Sequence, residues 1–500
     1  MESNINWLDL PDNIWESILN NLEDKDLLKA SETCKKFNNL LSISSSLTKK
    51  LRLEIGNKLM EIAVRMFKNG NAMCIFHLVL MKQCLQKSER KYDKIRIYAI
   101  LDFEQDDMMY AIYDILKLLA GSVKEITFYN AKLNDDEFFK IMQIMKNLKV
   151  LKFCGGSFCN EDVTEIVRPD IVPSIQEIYI ETVEEFSFEK LYLFDAITTL
   201  DLSFCTTVDE TFENFLLMQK NLKVLRLWYS KFVSSLFNTD KLASTITFSL
   251  EKLTLAGVEW TNNESAMKFF KTQTKLKHLQ LDLQHLYKFK VHDQIVWFNK
   301  FLVQFFVNNL QLKTVALSTS ECNIKDYRFL EGIVNPSVDH LDLRLDSSQN
   351  GTEHVAALTK LFPNVKNLVF TAVNQINHGM DQICNWKLLE TISCIPSDIN
   401  QFSKIVSLGE KLTTCTIIYS SEEYLNKPQM INFLNRHQNI KHMILKSYIY
   451  NNTLVTDEML SLIVNNSKSL ETLISDGKIC SFSDYHQHTW SQIVRGIQDN

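Results

Sequence analysis

Glycine and proline are scarce in this chain of 500 residues, which contains 12 Gly and 7 Pro. Nucleotide-binding folds and loop-built catalytic folds use more glycine, for tight turns and for close backbone approach to a ligand. Long apolar runs are also missing. The run at 73–81 includes a histidine and is far shorter than the 18 or so residues that a membrane span needs. The sequence therefore favours neither a classical nucleotide-binding enzyme nor a membrane-spanning protein.

Basic charge is not in excess either. The formal net charge of −6 gives no global attraction to nucleic acid or to acidic membranes. The first ten residues include Glu2 and Asp9 and lack the basic and apolar pattern of a signal peptide. The 11 cysteines are scattered and odd in number, which is typical of reduced thiols rather than of a disulfide framework. We therefore expect a cytoplasmic or nuclear protein without nucleic-acid or membrane partners.

Candidate catalytic and metal-binding residues are few. His486 and His488 lie near Cys480 in a polar C-terminal tail, but no CxxC companion completes a metal-ligand pattern. The glycine pair at 155–156 lacks the Lys-Ser/Thr of a phosphate loop. No nucleophile–base pattern or cofactor fingerprint is found, so the sequence predicts a protein that is not an enzyme and uses no cofactor or metal.

What the sequence does contain is a repeat. The pattern apolar-x-x-apolar-x-apolar recurs at spacings of mostly about 22 to 30 residues, which overlap the range of leucine-rich repeats. Copies begin at Val123, Leu148, Ile175, Ile197, Leu222, Leu250, Leu276, Leu312, Val338, Val365, Leu389, Leu412, Ile440 and Leu470, and a degenerate copy begins at Tyr92. A longer spacing after Leu276 predicts an insertion around 287–293.

The spacing of these apolar residues predicts one short strand and one helix per copy. The last two apolar positions alternate as in a strand, and the stretch before the next copy has helical rhythm, as at Phe212, Phe215 and Leu216. One such unit cannot bury its apolar face alone, whereas stacked neighbours form a continuous core. The predicted fold is an α/β solenoid that is curved and has a parallel sheet on its concave side.

These copies resemble leucine-rich repeats. Residues 200–205, LDLSFC, are similar to the cysteine-containing subfamily. The position of Cys205 is filled in other copies by Ala131, Gly156, Ser230, Val258 and Gln284. The asparagine or cysteine ladder of the family is therefore mostly missing, which leaves the repeat boundaries open.

The N-terminal segment 10–40 reads LPDNIWESILNNLEDKDLLKASETCKKFNNL and predicts three short helices. Pro11 favours the start of the first helix, and Asp24 is a candidate N-cap of the second. Cys34, Phe37 and Leu40 form a third apolar stripe at helical spacing. About forty residues rarely sustain a core alone, so a partner surface is expected.

This segment resembles an F-box, with Leu-Pro, Ile, Ile-Leu, Asp-Leu, Cys-Lys and an aromatic residue in the order of that motif. The family often has Trp at the last position, where this chain has Phe37. The resemblance implies a Skp-type adaptor as partner and, through it, a cullin–RING scaffold. It assigns adaptor binding to Leu10, Pro11, Ile14, Ile18, Leu19, Leu27, Cys34 and Phe37.

The implied function is that of the substrate-recognition subunit of an SCF-type ubiquitin ligase, a non-catalytic role in ubiquitin conjugation. The chain would supply proximity, while the chemistry occurs on other subunits. The predicted domains are an F-box at 7–45, a helical connector at 46–90, leucine-rich repeats at 91–476 and a C-terminal cap or tail at 477–500.

Side chains between the inward apolar positions of the strands should face solvent and contact a protein substrate. The candidates for substrate binding are Tyr179, Arg226, Trp228, Asp282, His340, Asp342 and Arg344. Taken singly, each is more readily explained as an ordinary solvated strand residue, and Trp228 is the candidate that most favours a substrate contact.

Two alternatives remain open. One is a scaffold that binds the adaptor but delivers no substrate to a cullin. The other is a free-standing leucine-rich-repeat protein that acts as an inhibitor or ligand binder, in which the F-box resemblance is fortuitous.

Overall fold

The computed structural model describes residues 10–56, 70–98, 106–159, 173–205, 211–228, 248–256, 263–282, 302–318, 332–345, 351–372, 380–395, 411–419, 427–447, 457–475 and 478–481, apart from 89, 184, 185, 187 and 303. The chain divides into two compact units. The first unit comprises residues 1–236 and 245–248, and the second comprises 237–244 and 249–500.

The first unit begins with four short helices, which confirm the three predicted ones and add a fourth. They are α1 (Asp12–Leu19), α2 (Asp24–Thr33), α3 (Lys35–Ile43) and α4 (Ser45–Thr48). Pro11 precedes α1 as its N-cap, and the polar residues between α1 and α2 separate these two helices. The Cys34 sulfur accepts a hydrogen bond from the backbone N–H of Phe37 at 3.4 Å, which caps α3.

Behind these helices the first unit contains strands that pair in parallel, each with the next along the chain. The strands are β1 (Arg52–Ile55), β2 (Lys94–Tyr98), β3 (Glu125–Asn134), β4 (Val150–Cys159), β5 (Glu177–Glu181), β6 (Thr199–Ser203) and β7 (Val224–Trp228). The helices are α5 (Gly70–Lys87), α6 (Asp106–Leu119), α7 (Asp135–Ile144) and α8 (Thr211–Met218), with a 3-10 helix at Phe188–Leu193.

The sheet starts earlier than the predicted beginning of the repeats at residue 91. Strand β1 lies inside the segment predicted as a helical connector, and it pairs with β2 through Leu53↔Ile95 and Ile55↔Ile97. Sequence analysis missed this strand because the first apolar position of its copy is occupied by Lys50. The Lys50 ammonium instead donates to the backbone carbonyls of Asn20 and Leu22.

Strands β3 and β4 are the longest pair and approach each other closely. Their pairing continues past a bend to Ala131↔Gly156 and Asn134↔Cys159. Gly156 has a φ of +95°, and a Cβ at this position would lie 2.1 Å from the carbonyl oxygen of Ala131. Only glycine fits this position without moving the backbone.

The second unit contains a further series of parallel strands. They are β8 (Lys252–Ala256), β9 (His278–Asp282), β10 (Thr314–Ser318), β11 (His340–Leu345), β12 (Asn367–Ala372), β13 (Thr391–Ile395), β14 (Thr414–Tyr419), β15 (His442–Ser447) and β16 (Thr472–Ser475). Its helices are α9 (Asn263–Thr272), α10 (Gly351–Leu361), α11 (Met380–Ile383), α12 (Lys427–Arg436) and α13 (Asp457–Asn466).

The C-terminal end of the second unit's sheet is covered by one more strand. Strand β17 (Lys478–Ser481) pairs antiparallel with β16, within the segment predicted as a cap. This pairing satisfies the hydrogen-bonding edge that β16 would otherwise leave open. The predicted insertion at 287–293 and the tail after Ser481 lie outside the described residues.

The apolar pattern points inward as predicted, so the α/β repeat fold with parallel strands is confirmed in each unit. Leu200 and Leu202 of β6 and Leu225 and Leu227 of β7 are fully buried, whereas the side chains between them are only half-buried. Cys205 is buried too, and its sulfur lies 3.5 Å from the carbonyl oxygens of Ile180 and Ser203.

Buried side-chain amides form a feature that sequence analysis did not identify. They lie three residues before the first apolar position of a repeat, at Gln219, Gln273, Asn309 and Asn335. The Gln219 amide donates to the carbonyl oxygen of Phe194 in the preceding repeat at 3.1 Å. The signal was visible in the sequence, because a polar residue recurs at one fixed distance before the strand.

The Asn335 amide makes the most extensive of these contacts. It donates to the carbonyl oxygens of Phe306 and Asn309 at 3.0 Å each. At the same position of a later repeat, the Trp386 indole N–H donates to the carbonyl oxygen of Phe362 at 2.8 Å. These bonds satisfy backbone groups at the turn between helix and strand, where the regular ladder has ended.

Candidate functional site

Helix α1 presents two apolar side chains to solvent. Ile14 and Ile18 are 44% and 43% exposed, and they lie one helical turn apart on the same face. Pro11, just before the helix, is exposed as well. Single exposed apolar residues are common on protein surfaces, whereas a contiguous apolar surface indicates a partner.

Leu19 and Leu27, also predicted to bind the adaptor, are 2% and 0% exposed. They form the core of the helical segment together with Leu41 and Leu47. Their truncation would therefore act first on the stability of this core, since burial of a leucine contributes about 1.5–3 kcal/mol. Ile14 and Ile18 are the positions at which an adaptor contact is separable from folding.

The start of α1 is held by a basic residue of α3. The Lys36 ammonium donates to the carbonyl oxygen of Leu10 at 2.7 Å and lies 3.3 Å from the Asp12 carboxylate. Leu10 is half-buried in this position. The arrangement fixes the entry of the chain into the helix that carries Ile14.

Phe37 and Cys34 are half-buried, and Phe37 packs against Trp15. The ring centroids of Phe37 and Trp15 are 4.6 Å apart in an edge-to-face arrangement. The Trp15 indole nitrogen is buried and has no hydrogen-bond partner among the described residues. Trp15 was not a predicted site residue. It supplies an indole next to the position where Phe37 replaces the tryptophan that is frequent in F-boxes.

A second set of contacts ties α1 to the end of the helical segment. The Glu16 carboxylate accepts hydrogen bonds from the hydroxyls of Ser44 and Ser46, both at 2.5 Å. These bonds, the one from Ser44 first, lower the pKa of Glu16 below its usual value. The carboxylate is thus kept ionised, and α1 is fixed relative to α4.

The outward face of the first unit's sheet carries charged and aromatic side chains in register. One row across the strands consists of Glu54, Arg96, Thr127, Lys152, Tyr179, Asp201 and Arg226. The Lys152 ammonium lies 2.7 Å from the Glu125 carboxylate and 5.0 Å from the ring centroid of Tyr179. Burial, followed by the hydrogen bond to Glu177, raises the pKa of Tyr179, so its hydroxyl stays protonated.

Three of the predicted substrate-binding residues lie on this face. Arg226 pairs with Asp201 at 2.9 Å, and Trp228 at the end of the same strand is half-buried, in register with Ser203. Tyr179 lies two strands away from Arg226 in the same row. The structure therefore brings Tyr179, Arg226 and Trp228 together on one surface of the first unit.

The remaining predicted residues lie on the sheet of the second unit. His340 and Asp342 are half-buried neighbours on the outward face of β11. Asp282 and Arg344 lie near the ends of β9 and β11, and their side chains are outside the described part of the structure. This group is thus assigned to a different unit from Tyr179, Arg226 and Trp228.

The described thiols are free, and the buried ones are poor nucleophiles. Burial raises the pKa of Cys394 to about 12, and burial together with Cys394 raises that of Cys415 well above its usual value. Within the described ranges, no group of three His, Cys, Asp or Glu side chains could hold a metal ion. His486 and His488 lie beyond these ranges.

The described helices include none that is long and apolar enough to cross a membrane.

The helical N-terminal segment matches a known protein family. The model of the F-box domain family matches residues 7–49. No curated protein sequence matches the chain. The yeast Rad7–Elc1 complex is a similar solved structure, with a TM-score of 0.35, 14% identity and coverage of 87% of this chain and 94% of that chain.

Two further solved structures are also distantly similar to this chain. The leucine-rich-repeat-containing protein LegL7 from Legionella pneumophila has a TM-score of 0.32 and 12% identity, covering 84% of this chain and 100% of that chain. The TLR13–ssRNA13 complex has a TM-score of 0.35 and 13% identity, covering 77% of this chain and 52% of that chain. These likenesses are distant, and the fold rests on the strand pairing given above. The chain therefore combines an F-box domain at residues 7–49 with a series of leucine-rich α/β repeats.

Proposed function

We propose that this protein is the substrate-recognition subunit of an SCF-type ubiquitin ligase. Its F-box binds a Skp-type adaptor, which links it to a cullin–RING scaffold, and its repeats hold a protein substrate. The match of the F-box model to residues 7–49 is the observation that carries this proposal. The chain itself is not an enzyme in this role, which is to raise the effective concentration of the substrate near the conjugating machinery.

The surface of α1 supports adaptor binding through Ile14 and Ile18. Both side chains are well exposed, although Leu19 of the same helix is buried. Exposed apolar residues on one helix face fit a groove formed by partner helices. The neighbouring pair Trp15 and Phe37 adds aromatic surface, which is enriched in protein interfaces.

The sheet face of the first unit supports substrate binding. Trp228 and Arg226 combine an aromatic and a guanidinium group, the side chains that most often dominate binding energy at interfaces. The face is also ordered in advance, because Arg226 is held by Asp201 and Lys152 by Glu125. Fixed side chains lose less conformational entropy when a partner binds. A cytoplasmic or nuclear location is part of this proposal, since the adaptor and the cullin act there.

Co-expression with a Skp-type adaptor tests the proposal, followed by size-exclusion chromatography. We expect a one-to-one complex for the wild-type chain and loss of this complex for the double variant Ile14→Glu/Ile18→Glu. Since both side chains are exposed, the circular dichroism spectrum should not change. Leu118→Glu is the matched control, because Leu118 is also 44% exposed but lies on α6.

The alternatives predict different outcomes. A wild-type chain that elutes alone as a stable monomer, or a double variant that binds the adaptor as well as the wild type, would contradict adaptor binding by α1. An adaptor complex that never retains a cullin and its RING subunit would favour a binding scaffold without a ligase role.

A further inference from the structure

A cleft of about 520 Å³ lies where the F-box meets the first strands of the sheet. It is bordered by α3 on one side, by the C-terminal part of α5 on another, and by β1 and the loop that leads to β2. Its lining residues include Asn38, Asn39, Ser42, Cys84, Lys87, Ser88, Arg90 and Tyr92. Its volume is in the range that holds small molecules.

The lining of this cleft is basic and rich in hydrogen-bond donors. Among the described residues that border it, Lys87 and Arg90 are charged and none is acidic. Asn38, Asn39, Ser42 and Ser88 add amide and hydroxyl groups. A cleft of this composition attracts anions and offers them several hydrogen bonds at once.

Arg90 is held in place by two hydrogen bonds from one nitrogen of its guanidinium group. Its Nη2 donates to the Ser31 hydroxyl at 2.8 Å and to the Asn38 side-chain oxygen at 2.5 Å. Neither contact neutralises its charge, and Arg90 has no carboxylate partner among the described residues. Its Nε–H and Nη1 N–H groups make no hydrogen bond with the described residues, so each can donate a single hydrogen bond to an oxyanion.

Lys87 brings a second positive charge to the same cleft. It lies in the last turn of α5, where it is exposed and has no ion pair with any residue that the structure describes. By contrast, Lys82 of the same helix pairs with Asp114 at 2.6 Å. Lys87 and Arg90 line the same cleft and have no counter-ion among the residues that the structure describes. Together with the neutral donors they are suited to a ligand with more than one anionic group.

We propose that this cleft binds a small soluble molecule that carries two or more phosphate groups. One phosphate is bound by Arg90 and the amides of α3, and another by Lys87 and Ser88. Such a ligand contacts the F-box and the first repeats together, so it stabilises the junction between them. The inference does not rest on adaptor binding, because the cleft is lined by Asn38, Asn39 and Ser42 of α3 and not by Cys34 or Phe37.

Isothermal titration calorimetry with the full-length protein tests the proposal, with pyrophosphate and tripolyphosphate as probes at an ionic strength of about 0.15 M, where weak surface attraction is screened. We expect saturable binding to the wild type. Lys87→Glu should weaken it about tenfold or more, since one charge-assisted hydrogen bond is worth on the order of 1.4 kcal/mol or more. Lys146→Glu is the control, because Lys146 is an exposed lysine of the same unit away from the cleft.

The variant Lys87→Glu separates ligand binding from folding, since the side chain is exposed and its helix is held by other residues. An unchanged circular dichroism spectrum and unchanged adaptor binding should accompany its loss of affinity. Equal affinity in Lys87→Glu and Lys146→Glu, or the absence of saturable heat in the wild type, would overturn the proposal. So would binding only to vesicles that contain a phosphoinositide, which would indicate a lipid headgroup rather than a soluble ligand.

Discussion

The two units are built from the same kind of repeat, but the outward faces of their sheets carry different side chains. In the first unit, polar contacts lie on the outward face of the sheet as ion pairs, such as Arg226 with Asp201 and Lys152 with Glu125. In the second unit, the described side chains in the matching row of the face are mostly neutral: Thr254, Gln280, Ala316, Asp342, Val369, Ser393, Thr416, Ile444 and Ile474. Its ion pairs lie outside this row, as Lys277 with Glu251 and Lys441 with Glu471. Three of the buried amides described above, Gln273, Asn309 and Asn335, belong to the second unit, and Gln219 belongs to the first.

From this difference we expect stability and partner recognition to depend on separate side chains. Exposed ion pairs contribute little to folding, about 0–1 kcal/mol each, but they set which partner a surface accepts. Buried amides contribute to folding because their removal leaves backbone groups without hydrogen bonds. We expect the first unit's face to prefer a charged partner, and the second unit's face to prefer a partner with neutral or apolar side chains.

The largest loss of stability is expected at an ion pair of the first unit that is buried rather than exposed. Lys190 is 4% exposed and its ammonium lies 2.5 Å from the Asp135 carboxylate, which is 12% exposed. Lys190→Met leaves that carboxylate buried without this partner and should cost about 3–5 kcal/mol. Urea unfolding measures the loss. The control is Lys140→Met, since Lys140 pairs with Asp136 on the surface of α7, the helix that also carries Asp135. Equal losses in the two variants would show that burial does not distinguish these pairs.

An intermediate effect is expected for the buried amides. Asn335→Leu leaves the carbonyl oxygens of Phe306 and Asn309 without this donor and should cost about 2–3 kcal/mol in urea unfolding. Gln219→Leu in the first unit removes a bond to Phe194 and a longer one of 3.4 Å to Phe215, and should cost about 1–2 kcal/mol. The contrast between the units fails if the Gln219 variant is the less stable of the two.

The smallest effect is expected on the sheet faces. Arg226→Met should change the free energy of unfolding by less than about 0.5 kcal/mol, and this change should diminish at high salt because the pair with Asp201 is partly exposed. Gln280→Met is the neutral counterpart in the second unit, where Gln280 lies 3.5 Å from Thr254. Its effect should not depend on salt. A salt dependence of the same size in both variants would remove the proposed difference between the faces.

The fold was largely predictable from the sequence because the apolar residues recur at the same spacing as the strand-and-helix units. Leu200 and Leu202 are buried by neighbours that carry the same pattern, so the strands could be predicted copy by copy. Strand β1 could not be predicted, since Lys50 interrupts the pattern and binds carbonyls of the F-box instead. Strand β17 was missed because it pairs antiparallel with β16 and belongs to no repeat.

The residues of the candidate site could be predicted from the sequence, but not which of them are exposed and which are buried. Ile18 and Leu19 are adjacent apolar residues of one helix, yet one is 43% exposed and the other 2%. Sequence spacing alone does not separate a core residue from a contact residue in so short a segment. The cleft that contains Lys87 and Arg90 was not predicted, because it forms only where residues 81–92 pack near α3 and β1, about 30 to 50 residues earlier in the sequence.

The register of the sheet bears on how the number of repeats can change. Thr199 pairs with Val224 and Leu200 with Leu225, while Glu177 pairs with Thr199 in the same frame on the other side. Each repeat thus presents its neighbours with equivalent hydrogen-bonding edges. A duplication or deletion of one repeat therefore joins edges that already fit, so the length of the sheet can change in a single step while the F-box is left intact.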